Sequence, residues 1–278
     1  MNEFWSFFSV QIALIAVVLI LHTYMGLHVI RRTIIFCDLA LAQLAALGAL
    51  VGIAIGVQYA TSGSYIMSTL AVLIGSYLLV AINPKSMHIP REAVIGIIFS
   101  LALVATLLLS DKLSAGDAYV TKTLAGSMLW TSWSLVAITT AVYIVLLLFH
   151  YKFRDKFIAL TENPESLRHR KLWDFFFFAT QGIIAVLIVP IAGVLLAYSF
   201  LMIPAAIAAM FSKGWLHSVV LGWSIGFVAC VIGLIFSYNA NLPYGPTLVL
   251  ALGICFLGAI LIKVIKQVPV QNRIKGES

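Results

Sequence analysis

The sequence predicts an all-α polytopic membrane protein: one transmembrane domain over residues 1–278, a bundle of eight or nine transmembrane helices with one short or broken helix near 200–212. Three observations carry that prediction. Hydrophobic residues make up 62% of the chain, and charged residues make up 10% where a soluble domain approaches about a quarter. Apolar runs long enough to cross a bilayer follow one another with short polar joints, which leaves no stretch for a separate soluble domain. The net charge of +7 raises nucleic acid as a partner, yet the basic residues lie in those joints, where membrane topology accounts for them. The expected surroundings are membrane lipid, with no nucleic acid.

The elements follow in order. The run at 5–28 has no basic residue before it in Met1-Asn2-Glu3-Phe4 and passes Gly26 without a cleavage site, so it is expected to be a retained span. The run at 33–59 holds a carboxylate, Asp38, inside an apolar segment. Runs at 66–82, 92–110 and 133–150 have the length of single crossings. The joint from Tyr151 to Trp173 is longer. Within it Phe153, Phe157 and Leu160 share one apolar helix face, and Asn163-Pro164-Glu165 can open a second short helix with proline and an acid in its first turn. Asp174 starts the run at 174–198 and is expected to cap the positive end of the helix dipole. The run at 200–212 is short for a crossing, at about 13 residues, and reads as a half-helix, a re-entrant segment or part of a bent pair. Runs at 215–237 and 246–265 close the series. If all nine runs cross, every Lys and Arg except Lys112 and Lys122 falls on one side, which the positive-inside bias makes cytoplasmic. The N-terminus is then outside, and the C-terminus and the loops at 83–91 and 151–173 are in the cytoplasm.

Asp38 is the candidate for function. An ionisable group in a bilayer costs about 2.5–3.5 kcal/mol on insertion scales and by default marks a pathway or a paired site. At helical spacing Asp38, Ala42, Ala45, Ala49, Gly52 and Gly56 share a face, a lane of small side chains along which another backbone can approach. The competing reading pairs Asp38 with Arg32, about 9 Å away along a helix. His22 precedes Arg31 and Asp38 follows Arg32 at depths of about 13 and 9 Å from one boundary, so in an antiparallel pair the two side chains could converge. Imidazole plus carboxylate makes Asp38 and His22 a candidate transient site for a divalent metal ion. Gln43 is polar too, but it lies about 140° round the helix from Asp38. Cys37, Cys230 and Cys255 all sit in apolar runs and are expected to pack in the core. The sequence contains neither a GxxxxGK[ST] phosphate loop nor an HExxH pair.

A set of short stretches recurs in an order and spacing that resembles a known family. They are Gly26-Leu27-His28-Val29-Ile30-Arg31-Arg32 with Asp38 after it, the loop with Pro164-Glu165, Trp173-Asp174-Phe175, Gly193-Val194-Leu195-Leu196 with Ile203-Pro204-Ala205, and Ser237-Tyr238 with Leu242-Pro243-Tyr244-Gly245. The chain resembles, over almost its whole length, the permease subunits of the zinc- and manganese-type ABC importers. The resemblance implies an ATP-driven, binding-protein-dependent importer of divalent transition-metal ions (zinc, manganese or iron) in the bacterial cytoplasmic membrane, with alternating access at a homodimer interface. The implied partners are a second copy of the permease, a cytoplasmic ABC ATPase dimer that carries the ATP, and an extracytoplasmic metal-binding protein. The metal is substrate, no cofactor is bound by this chain, and the chain is a transporter subunit and not an enzyme. The loop with Phe157, Leu160, Pro164, Glu165 and Arg168 is implied to be the coupling element that grips the ATPase. Asp38 matches an acidic residue of the family's translocation path. Two positions depart from the pattern: Ala42, followed by Gln43, stands where many members have histidine, and Asn241 stands where members often have aspartate. Read from its residues alone, the chain has an alternative as a stand-alone ion-coupled secondary transporter, with Asp38 as its well-placed acid and Glu92 and Asp174 at span ends.

Overall fold

Helices account for nearly all of the chain because a backbone inside a bilayer must satisfy its own polar groups, and a helix does so within one segment. The computed structural model describes residues 2–82, 89–114, 116–126, 128 and 131–274. Among the described residues ten helices run in the order α1 (Asn2–Arg31), α2 (Cys37–Ala54), α3 (Ser62–Ala81), α4 (Arg91–Ser110), α5 (Gly116–Ala125), α6 (Trp133–Lys152), α7 (Arg154–Glu162), α8 (Arg170–Phe211), α9 (Trp215–Ala240) and α10 (Tyr244–Ile274), with a 3-10 turn at Pro164–Ser166 between α7 and α8. Eight of them are long and apolar enough to cross a membrane.

The longest, α8, makes two crossings. Gly193 interrupts it at φ 77° and ψ 161°, a backbone conformation that is essentially confined to glycine. Run straight, its 42 residues would reach about 63 Å, twice the roughly 30 Å of a hydrocarbon core. Its two ends lie together instead. Asp174, near the start, pairs with Arg32, and the carbonyl of Lys213, just past the end, accepts from Arg31 at 3.0 Å. Neighbouring arginines at the foot of α1 thus hold both ends, so α8 is a hairpin with its tip at Gly193. Its arms, 170–192 and 194–211, are about 35 and 27 Å long. Gly126 backs directly onto the tip, where a Cβ would lie 2.3 Å from the Ala192 carbonyl carbon. Counting both arms of α8, the described residues hold nine apolar segments of crossing length. The broken helix expected near 200–212 is present, but the break falls at Gly193, and residues 194–199 lengthen the second arm to a full crossing.

These crossings gather Arg31, Arg32, Arg91, Lys152 and Lys213 at one end of the bundle, hereafter the basic end. Lys85 and Lys275 lie outside the described residues. The core is built around α1, α2 and α8, whose most apolar stretches are mostly buried, whereas that of α10 mostly faces outward. Small residues let backbones meet here. At Gly48 of α2 a Cβ would lie 2.6 Å from the Met67 carbonyl oxygen of α3, and at Gly26 of α1 one would lie 2.1 Å from that of Leu201 in α8.

The lane proposed from spacing is partly redrawn. Ala45, Ala49 and Gly52 are buried, and a Cβ on Gly52 would sit 3.3 Å from the Met67 side chain. Gly56 takes no part in helix packing: α2 ends at Ala54, and Gly56 lies beyond it at φ +91° with nothing within 4 Å of a Cβ. Within α2 the closest backbone approach belongs to Gly48, off the lane.

Candidate functional site

Asp38 sits in the first turn of α2 and is 3% exposed. Its Oδ1 accepts a hydrogen bond from Nε2 of Gln181, on the first arm of α8, at 2.5 Å. Arg32, the competing partner, is engaged by Asp174 instead. None of the described ion pairs includes Asp38. The amide thus orients the carboxylate without neutralising it. Two further buried oxygens at this level, Gln181 Oε1 and the Tyr143 hydroxyl of α6, have no hydrogen-bond partner, and Tyr143 lies within electrostatic reach of Asp38.

His22 of α1 is buried beside this group. Its Nδ1 donates to the Val18 carbonyl at 3.0 Å, which leaves the lone pair on Nε2. Its ring stacks on Tyr143 with centroids 5.9 Å apart. Among the described residues no hydrogen bond or ion pair joins His22 to Asp38; the two approach each other through Tyr143. Gln43 belongs elsewhere, donating to Thr106 of α4 at 3.1 Å. Among the described residues no group of three or more His, Cys, Asp or Glu could hold a metal ion.

From Asp38 toward the end opposite the basic one, the small-residue lane opens a crevice. Ala45 and Ala49 line it with Ser64, Tyr65, Ser68 and Tyr119, and its volume of about 20 Å³ is room for a single water. A second cavity of about 90 Å³, lined by Tyr59, Lys122, Thr131 and Pro190 among others, shares Tyr59, Tyr65 and Pro190 with it. Small side chains on α2 leave the space, and hydroxyls from α3 and α5 line it.

At the basic end Asp174 is no helix cap. Helix α8 begins at Arg170, so Asp174 stands a full turn inside, where it is buried and bonded to Arg32, to Arg91 at 3.3 Å and to Arg170 at 3.9 Å. It ties α1, α4 and α8 together.

The loop between α6 and α8 also differs from expectation. The apolar face read from Phe153, Phe157 and Leu160 exists, but it packs on the bundle itself. Phe157 is 0% and Leu160 2% exposed. Phe157 stacks on His150 at 4.1 Å and meets the rings of Phe149 and Trp173. These two residues are therefore unavailable to a partner. The far end of α7 is fastened to α1 and α9. Thr161 donates to the Phe157 carbonyl at 3.1 Å and so accepts from Nδ1 of the buried His28 at 2.6 Å. Glu162 takes Arg31 at 3.3 Å and the Trp215 indole at 2.9 Å. Lys156, Glu165 and Arg168 are exposed, and Pro164 is half-buried. Glu165 pairs with Arg170 at 3.0 Å.

Gln181 and His28 were given no role from sequence. The available signal was a polar residue deep in an apolar run, the same signal that singled out Asp38.

The family model of the ABC 3 transport family matches residues 6–263. The chain belongs to the ABC 3 transport family. Among its relatives, a Chlamydia muridarum membrane protein described as a probable metal transport system component is 27% identical, over 77% of this chain and 75% of its own. The manganese transport system membrane protein MntC of Listeria monocytogenes is 28% identical over 65% of each chain. Among solved structures, PsaBC from Streptococcus pneumoniae in complex with Fab superposes with a TM-score of 0.75 at 21% identity, covering 93% of this chain and 94% of that one. That likeness is one of fold. For an ABC 3 chain the stand-alone secondary transporter loses its support.

Proposed function

We propose that this ABC 3 chain is the permease subunit of an ATP-driven importer of divalent transition-metal ions, zinc, manganese or iron, in the bacterial cytoplasmic membrane. The observation that carries the proposal is Asp38, a buried carboxylate with an amide partner and no described ion pair, on the helix whose small residues line a hydroxyl-rich crevice further along. A charge kept uncompensated in a membrane protein suits the transient binding of a cation. The names of the relatives, manganese transport among them, support a metal as that cation.

The positive-inside bias places the basic end in the cytoplasm, the N-terminus outside and the C-terminus inside. Two copies enclose the path, an extracytoplasmic metal-binding protein delivers the ion at the opposite end, and a separate ABC ATPase dimer hydrolyses ATP below the basic end. The ATPase meets the outward residues Lys156, Pro164, Glu165 and Arg168. Phe157 and Leu160 transmit the contact by seating α7 on the bundle, and Glu162 and Thr161 carry it to α1. His22 flanks the path through Tyr143.

The test is uptake of Mn²⁺ and Zn²⁺ into vesicles holding the permease, its ATPase and its binding protein. Asp38→Asn is expected to abolish uptake of both ions while the complex still assembles. Uptake at the wild-type rate would remove Asp38 from the path and the proposal with it.

A further inference from the structure

We infer that Gln181 is a switchable partner of Asp38: its carboxamide donates to the carboxylate when no cation is bound, and turns its oxygen onto a divalent cation when one arrives. The site so formed offers oxygen donors, so it discriminates less against manganese(II) relative to zinc(II) than an imidazole or thiolate site would. The inference rests on Asp38 lying in the transport path, as proposed above.

Gln181 is 0% exposed and held on the first arm of α8. Its nitrogen faces Asp38 by necessity, because the opposite assignment would set amide oxygen against carboxylate oxygen. Oε1 hangs from the same carbon as Nε2, so it lies within about 5 Å of the Asp38 oxygen that Nε2 touches. Oε1 of Gln181 is buried without a hydrogen-bond partner, a condition native folds rarely retain without a reason. The terminal torsion of glutamine is broad and nearly two-fold, so exchanging nitrogen for oxygen needs no backbone movement. One side chain can therefore serve the empty carboxylate as donor and the loaded one as fellow ligand.

The donor set decides the ion. Asp38 brings a carboxylate, Gln181 a carboxamide carbonyl, and Tyr143 a phenol whose oxygen is likewise buried and unpartnered. Oxygen ligands suit manganese, whereas zinc is better held by imidazole and thiolate. One turn along α2 from Asp38, Ala42 is buried and offers a methyl group in place of a ligand. His22 is committed on one nitrogen to Val18 and stacks on Tyr143.

The test uses the full transport complex in vesicles, with Mn²⁺ and Zn²⁺ uptake measured separately, and Mn²⁺ binding to the purified complex followed by electron paramagnetic resonance. Gln181→Met keeps the length and removes both polar atoms. It is expected to weaken Mn²⁺ binding and uptake by about tenfold and to lower the Mn²⁺ to Zn²⁺ uptake ratio. Gln181→His replaces oxygen by nitrogen and is expected to move that ratio toward zinc by about tenfold. An unchanged ratio in Gln181→His, with Asp38→Asn still inactive, would overturn the switch and leave the path assignment standing. Normal uptake by Asp38→Asn would overturn both. Should Gln181→Met fail to assemble, the histidine variant decides alone.

Discussion

Asp38 and Asp174 are both carboxylates buried in the same bundle, at 3% and 4% exposure, and their surroundings are opposite. Asp174 is ringed by Arg32, Arg91 and Arg170, from three different elements. Asp38 receives one neutral amide. Burial is common to both, so burial does not identify the acid that works. Compensation separates them: the charge of Asp174 is consumed in joining helices, and that of Asp38 meets no described cationic side chain, which is what the proposed role in cation transport requires.

That contrast can be broken at either carboxylate. Asp174→Asn strands a buried Arg32 and is expected to cost about 3–5 kcal/mol, read as a large drop in the thermal unfolding temperature in detergent. An unchanged melting curve would mean that the ion-pair hub is ornamental. Phe157→Ala, which empties the seat of α7 beside the hub, is expected to cost about 3–5 kcal/mol, with loss of ATPase association as a second readout. Asp38→Asn is expected to leave stability within about 0.5 kcal/mol, since asparagine still accepts from Gln181. Its Mn²⁺ uptake should nonetheless fall by about a hundredfold or more, equivalent to about 2.7 kcal/mol. Ala49→Leu fills the crevice and is expected to reduce uptake by about tenfold while the Asp38–Gln181 pair, which it does not touch, is left in place. Glu162→Gln weakens an exposed pair and is expected to change stability by less than about 1 kcal/mol. A larger loss there would extend the hub to α7.

The membrane bundle was legible because hydropathy reports directly on the solvent each segment meets, and nine apolar runs became nine helical segments of crossing length. The reversal at Gly193 was misplaced because it happens among Pro190, Ile191, Ala192 and Val194, with no polar turn residues to mark it. The apolar face of α7 was legible from period alone, but a period says which residues share a face and not what covers them. Phe157 consequently looked like a partner's anchor when it is a root. Asp174 looked like a cap because its partners Arg32 and Arg91 lie 142 and 83 positions away in the chain. Gln181 was passed over for the same reason: its meaning comes from Asp38, 143 residues earlier.

The hairpin of α8 has a consequence for how the chain enters its membrane. A helical pair joined by a polar loop must push that loop through the hydrocarbon during synthesis, against the cost of desolvating its charges and backbone. Here the turn is one glycine flanked by apolar residues, and the backbone of Gly126 closes over it. Both arms can leave the ribosome and slide in as a single wedge, with no polar loop at the turn to carry across. Replacing Gly193 by a bulkier residue therefore threatens the delivery of the protein before it threatens the finished fold.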